Sequence, residues 1–281
     1  MNPLAEYDDF IQLSDIGVLI KNTGIDVYDF SFRNNLDCKS ITDAQASPIV
    51  LRIGAISDFE KIRYEVEQTG NRLLYSYDNY LNATDFERWY PLIADKTPRS
   101  IVYEMFPTLK NVLQDFSFPF FIKGNRQTNR HQRKLSIIEN KEMFDTAREY
   151  WERDKILHWQ KVVIREYVPL QLIDDMSFPD MIPISYEFRV FFWKKNLVGL
   201  APYWTMVPDY SPKPSNPDIS YISTLALDVS KKIDTPFLVV DVAKTINGDW
   251  IVIEVNDGQE SGYARNNPTT LWRKIIQLEK K

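Results

Sequence analysis

Apolar and polar positions alternate between residues 237 and 257 in a way that predicts two antiparallel strands. FLVVDVAK (237–244) and DWIVIEVND (249–257) flank Asn247-Gly248, and both positions of such a pair tolerate positive φ, so a two-residue type I′ hairpin is expected. That register sets Lys244 opposite Ile251 and Asp241 opposite Glu254, with Cβ atoms ~4.5 to 5.5 Å apart, and places Asn256 on the same face. The other face reads Leu238, Val240, Val242, Ile251, Ile253 and Val255, all apolar. Like charges directly opposed destabilise a sheet, so the carboxylates call for a divalent cation, an Arg or Lys partner, or solvent. On this pairing, Asp241→Asn is expected to leave the fold as stable as before or more so.

Upstream, SPIVLRIG (47–54) predicts a buried strand. SDFEKIRYEVEQTG (57–70) predicts a helix with Ser57 as N-cap, Glu60 three residues on and Gly70 at its end, and NRLLYSY (71–77) a following strand. Together they make a β-α-β unit. Gly54 is not followed by G-x-G-x-x-G, so a structural turn is expected there rather than a dinucleotide loop. FPFFIKG (118–124) predicts another strand, and NKEMFDTAREYWERDKIL (140–157) a helix whose Met143, Phe144, Ala147, Tyr150 and Trp151 recur at helical spacing. Strands are expected at KVVIREYV (161–168), YEFRVFFW (186–193) and NLVGLAPYW (196–204), the last two joined by a turn at Lys194-Lys195. The proline-rich PDYSPKPSNPD (208–218) predicts a lid or linker.

The 281 residues are 44% hydrophobic and 14% aromatic, enough to bury a large core in two or three subdomains. Thirty-four basic residues against 39 acidic ones, a net charge of −5, make nucleic acid an improbable partner. Cys38 alone permits neither an internal disulfide nor a cysteine-based zinc site, and His131 and His158 are too few for histidine-rich metal chemistry. No run approaches the roughly 18 apolar residues of a membrane helix and the first residues lack a targeting pattern, so a cytoplasmic protein is expected.

Asp241 on one strand and Glu254-x-Asn256 on the next match, in type, order and spacing, the signature of the ATP-grasp superfamily. FLVVDVAKTINGDWIVIEVNDGQESGY and EFRVFFWKKNLVGLAPYW are similar to a divergent clade of stand-alone ATP-grasp domain proteins, a resemblance that runs over about residues 95 to 265. It implies an α/β (α+β) fold: two α+β subdomains clasping ATP (101–168 and 169–281), after a small α/β N-terminal domain (1–100). It implies Mg²⁺ or Mn²⁺ on Asp241, Glu254 and Asn256, and phosphate-binding lysines at Lys123 and, in ADKTP, Lys96. The hinge would be Glu166, Tyr167 and Val168, whose backbone holds the adenine edge. Arg189 resembles the arginine that contacts the transferred phosphoryl group, with Glu187 as its other available partner. In place of a glycine-rich loop the chain has GNRQTNRHQRK (124–134), whose Arg126, Arg130, His131 and Arg133 would form a cationic lid or dock an anionic substrate.

The activity so implied joins a carboxylate to an amine at the expense of ATP. The γ-phosphoryl group moves to the carboxylate, and the amine displaces phosphate from the acyl phosphate. Substrates would be a carboxylate and an amine, a peptide or protein included. Contacts are expected from Gln259 and Ser261 in the DGQESG segment and from Arg52 to a substrate carboxylate. Two other functions stay open: an ATP-binding assembly chaperone without turnover, and a kinase on the same scaffold.

Overall fold

Two extended segments rich in β-branched residues and two amphipathic helices are enough to start the N-terminal unit. Its sheet contains β1 (Asp9–Leu13), β2 (Ile16–Ile20), β3 (Cys38–Lys39), β4 (Pro48–Arg52) and β5 (Arg72–Leu73), in the order β3-β1-β2-β4-β5. β2, β4 and β5 run parallel and β1 antiparallel to β2. Helices α1 (Phe32–Asn35), α2 (Phe59–Glu67), α3 (Tyr77–Thr84) and α4 (Phe86–Ile93) complete the segment. The structure is a computed structural model that describes residues 7, 9–13, 15–24, 28–39, 47–54, 56, 58–126, 132–174, 180–207, 210 and 213–280.

The β-α-β unit is β4-α2-β5. The expected N-cap, Ser57, lies outside the described residues, and the Asp58 side chain accepts the Lys61 amide hydrogen instead. The strand expected at 71–77 ends at Leu73, because Ser76 caps α3 through a capping box with Asn79 and turns the chain into a helix. Gly54 has φ +72, which agrees with the turn expected there.

A second sheet contains β6 (Ser100–Tyr103), β7 (Phe120–Gly124), β8 (Ile137–Ile138) and β9 (Val162–Glu166), ordered β6-β9-β7-β8, with α5 (Leu109–Val112), α6 (Arg133–Ser136) and α7 (Lys141–Arg153). Phe144, Ala147 and Trp151 of α7 pack on Phe120, Ile122, Val162 and Ile164, as the helical spacing requires. Alternation along β7 and β9 turns Lys123 and Arg165 to the other face. Arg130 and His131 of the basic loop lie outside the described residues.

A short pair, β10 (Leu172–Asp174) and β11 (Ile184–Ser185), leads to the third principal sheet: β12 (Glu187–Trp193), β13 (Asn196–Pro202), β14 (Phe237–Lys244) and β15 (Trp250–Asp257), ordered β13-β12-β14-β15 and antiparallel throughout. Helix α8 (Asn216–Lys232) covers one face with Ile222, Ala226 and Val229 against Phe188, Val190, Val240 and Val242. The proline-rich 208–218 thus runs into a capped helix. Its residues 208, 209, 211 and 212 lie outside the described residues. The opposite face meets the N-terminal sheet: Phe191, Trp193, Phe237 and Val239 share a core with Val18, Ile49, Leu51 and α9 (Pro268–Glu279). No helix among the described residues is long and apolar enough to cross a membrane.

The β14–β15 hairpin differs from its expected register in two ways that cancel. Its loop is Ile246-Asn247-Gly248: Thr245 accepts the Gly248 amide (3.0 Å) and donates to the Asp249 carbonyl (2.7 Å), and only Gly248 of the Asn-Gly pair has positive φ, +93. Lys244 therefore faces Trp250, and Ala243 faces Ile251, which moves Ile251 off the apolar face and puts Val252 on it. Ile253 is then skipped, a β-bulge, and from there Asp241 faces Glu254 and Val239 faces Asn256.

Candidate functional site

On the sheet face away from α8, three strands bring ionisable groups to one level. Arg189 of β12 pairs with Asp241 of β14, which pairs with Glu254 of β15. The Arg189 guanidinium donates to both Asp241 oxygens, Nε to Oδ1 at 2.8 Å and Nη2 to Oδ2 at 2.7 Å, and Nη1 donates to the Gly262 carbonyl at 2.9 Å. It lies 4.7 Å from the Tyr203 ring centroid. Asn256 donates Nδ2 to Asp241 Oδ2 at 3.3 Å and Glu254 Oε2 at 3.5 Å, so an amide spans the gap between the two carboxylates. Like-charge opposition is thus compensated by Arg189, and the sign expected for Asp241→Asn reverses: the neutral side chain would leave a buried guanidinium without its counter-charge.

Facing this edge is the inner face of the small sheet. Lys123, 4% exposed, contacts Glu254 Oε1 as an ion pair across the cleft. Arg165 lies beside it, 5% exposed, donating Nη1 to the Ile253 carbonyl at 2.7 Å and Nε to Ser100 Oγ at 3.2 Å. Both cations lie over the Phe86 ring of α4, at 6.0 and 5.4 Å from its centroid.

Burial opposes the charge on Glu254, but Lys123 first, then Arg165 and Arg189, outweigh it and hold the carboxyl below its ordinary value. For Lys123, burial dominates and lowers the ammonium despite Glu254. Burial also works against Arg189, and Asp241 overcomes it, so the guanidinium is held well above its ordinary value. The bidentate geometry is that of a carboxylate, which keeps the pair ionised. Glu187, two residues from Arg189, is bonded by Ser185 Oγ (3.1 Å) and pushed up to about 8 by burial and then by Asp241.

The structure brings Lys123, Arg189, Asp241, Glu254 and Asn256 together, and it places the remaining expected residues elsewhere. Lys96 turns toward α8, ion-paired with Asp228 (3.2 Å) and Asp95 (3.1 Å), on the side of the large sheet away from Asp241. Glu166 ends β9 with its amide on the Arg99 carbonyl (2.8 Å). After Tyr167 and Val168, residues 169–171 bond to the hairpin end through Ile246 N to Pro169 O (3.1 Å) and Gln171 N to Lys244 O (2.7 Å). The 166–168 segment therefore does connect the two sheets. Arg126 sits 3.9 Å from Asp85, and Arg133 reaches Glu139 at 3.6 Å.

The three expected substrate contacts are occupied inside the protein. Gln259 is fully buried, accepting the Leu51 amide (2.9 Å) and donating to Asp257 (2.9 Å). Ser261 donates to the Asp257 carbonyl at 2.7 Å. Arg52 donates to Tyr263 Oη (3.0 Å) and to the carbonyls of Gly258 (3.0 Å), Gln259 (3.1 Å) and Tyr28 (3.2 Å). These bonds pin the segment after β15 to the N-terminal sheet, because backbone carbonyls in a buried loop must find donors. Arg165 was not among the expected residues, although the signal was present: a lone charge inside VVIREYV is the same anomaly as Arg189 inside YEFRVFFW.

The donor set suits a hard divalent ion completed from outside. Asp241, Glu254 and Asn256 are in mutual contact and offer only oxygens of the hard type. Among the described residues no three His, Cys, Asp or Glu side chains are grouped to hold a metal, so a protein-only cage is not what the residues provide. Glu254 is 20% exposed, whereas Asp241 is buried behind Arg189.

A sequence model of the ATP-grasp domain, for the third family of its clade, matches residues 113–275, more than half of the chain. No curated protein matches it. Among solved structures, an ATP-grasp RimK domain protein from Sphaerobacter thermophilus aligns with a TM-score of 0.54 at 12% identity, covering 83% of this chain and 78% of that one. The VanG D-Ala:D-Ser ligase from Enterococcus faecalis aligns with a TM-score of 0.54 at 17% identity, covering 78% and 66%. The D-cycloserine synthetase DcsG aligns with a TM-score of 0.53 at 12% identity, covering 85% of each chain. At these identities the likeness is one of fold.

Proposed function

Because this chain belongs to the ATP-grasp domains, in the third family of its clade, we propose that it is an ATP-dependent ligase joining a carboxylate to an amine. The observation that carries this reading is the alternation of charge across the cleft. Lys123 of the small sheet meets Glu254 of the large one, and Arg189 and Asp241 meet beside them, with Asn256 between the carboxylates. Phosphoryl transfer needs little covalent help from a protein and much positioned charge. That the D-Ala:D-Ser ligase VanG and the synthetase DcsG share the fold supports it.

In this reading Lys123 exchanges Glu254 for phosphate oxygens of ATP. Glu254 and Asn256, backed by Asp241, would hold Mg²⁺, which when bound supplies charge that neutralises phosphate oxygens. Arg189, held by Asp241 and the Gly262 carbonyl, keeps a fixed cation near the acceptor carboxylate as it gains the phosphoryl group. The 166–168 backbone would take adenine. The segment after β15 shapes the acceptor pocket through its backbone, since its Gln259 and Ser261 side chains are turned inward.

The test is ADP release measured with panels of carboxylates and amines. Turnover that requires both substrates, and that falls in Lys123→Ala with a raised KM for ATP, supports a ligase. A stable phosphorylated product would make it a kinase, and tight ATP binding without turnover an ATP-dependent binding factor. An unchanged ATP profile in Lys123→Ala would remove that lysine from the site.

A further inference from the structure

Glu254 reaches the Asp241 face only because β15 skips a residue. From the turn to Val252 the ladder keeps one register, Lys244 with Trp250, Ala243 with Ile251 and Val242 with Val252. Continued unbroken, it would set Ile253 opposite Asp241 and send Glu254 to the α8 face, among Phe188, Val190 and Val240. The bulge at Ile253 reverses the alternation, and a bulge leaves backbone groups out of the ladder. Here the Ile253 carbonyl receives a charged donor, Arg165 Nη1 at 2.7 Å, from a strand of the other sheet.

We propose that Arg165 is a positioning residue: its guanidinium, reaching across the cleft from β9, fixes the bulge at Ile253 and so determines where Glu254 stands. Three observations converge on it. The guanidinium is held from behind by Ser100 Oγ and lies over Phe86, the ring that also supports Lys123. Its Nη2 is buried and has no hydrogen-bond partner, so structural bonds do not saturate it. Arg165 also directly precedes residues 166–168, so one strand joins the inter-sheet segment to the register of the carboxylate edge. The inference about ion binding rests on the ligase reading; the inference about register does not.

Arg165→Met and Arg165→Gln, neither long enough with a donor to reach the Ile253 carbonyl, test both parts. Amide hydrogen exchange across 250–257 is expected to speed up at Glu254 and Val255, with β12–β14 amides unchanged. Mn²⁺ binding in the presence of a non-hydrolysable ATP analogue, followed by the electron paramagnetic resonance of free Mn²⁺, is expected to weaken about 10- to 100-fold, the usual effect of removing a partner that orients a ligand. Metal-free nucleotide binding should stay unchanged. Arg165→Lys, which keeps the charge and a donor, should recover part of both effects. Unchanged exchange and Mn²⁺ affinity overturn the proposal, as does exchange that rises uniformly over all sheets or failure of both neutral variants to fold. If the wild-type chain binds no Mn²⁺ with nucleotide, the ligase reading fails and exchange at the bulge alone decides for or against Arg165.

Discussion

Removing Arg189 should cost more than removing Asp241, and removing both should cost less than the sum. The pair is 9% and 2% exposed at its side chains and carries two short charge-assisted bonds. Arg189→Met leaves a buried carboxylate with only the Asn256 amide as donor, a situation that typically costs about 3–5 kcal/mol. Asp241→Asn keeps the shape and one acceptor, so the loss is nearer to that of hydrogen bonds to a charged group, about 1.5–3 kcal/mol. Arg189→Met combined with Asp241→Leu replaces two charges by apolar volume in a sheet already covered by core, and the coupling should reach about 2 kcal/mol or more. Urea unfolding of the four proteins, followed by tryptophan fluorescence, measures this cycle, since Trp193, Trp250 and Trp272 sit in or against the same sheet. Single variants whose costs simply add, or Arg189→Met within about 1 kcal/mol of wild type, would refute the claim that Arg189 neutralises the carboxylate edge.

Arg52→Met should destabilise by about 3 kcal/mol or more, since it strips donors from buried carbonyls of Tyr28, Gly258 and Gln259. Exchange in 257–263 would report it, and unaltered protection there would mean the segment is held by other bonds. Glu260 accepts the Ile56 amide (3.0 Å) and is pushed up to about 8, mainly by burial and then by Asp257, with Tyr80 and Arg126 also facing it. The folded state thus keeps a proton that the unfolded state releases near 4.5. The contribution of Glu260 is therefore complete below that value and is lost as pH rises toward about 8. Glu260→Gln should flatten the fall in urea midpoint between these limits; a slope identical to wild type would exclude Glu260 as its source.

Much of the large sheet was legible in the chain because period-2 alternation and an Asn-Gly pair are local signals. The opposition of Asp241 and Glu254 was read correctly through a wrong turn. A bulge at Ile253 offsets the third loop residue, Ile246, and nothing in a run of Ile and Val marks which residue a ladder will skip. The Arg189–Asp241 pair was out of reach for a different reason: β12 and β14 are neighbours only in space, and Glu187 and Asp241 competed for the same guanidinium on paper. Lys96 and Arg52 looked like ligand-binding residues because a charge near a strand end suggests an anion. In the fold one meets Asp228 and the other meets backbone carbonyls, partners that local pattern cannot supply. Helices α3 and α8 escaped notice where Ser76 and Ser215, their caps, follow strand-like or proline-rich text.

The division of the core has a mechanical consequence. Phe191, Trp193, Phe237 and Val239 are shared with the N-terminal sheet, so the N-terminal unit and the large sheet cannot part without exposing apolar surface. The small sheet keeps most of its core to itself, with α7, and lends only Val163 among its fully buried residues to the neighbouring cluster. What ties its inner face to the carboxylate edge is an ion pair at Glu254 and a hydrogen bond at Ile253, both of which water or phosphate can replace. The molecule is thus an anvil with a single jaw. Residues 100–166 are the part that can swing, and its two attachments, at 94–99 and 167–171, act as one lever in which Lys123 and Arg165 lie at the biting edge.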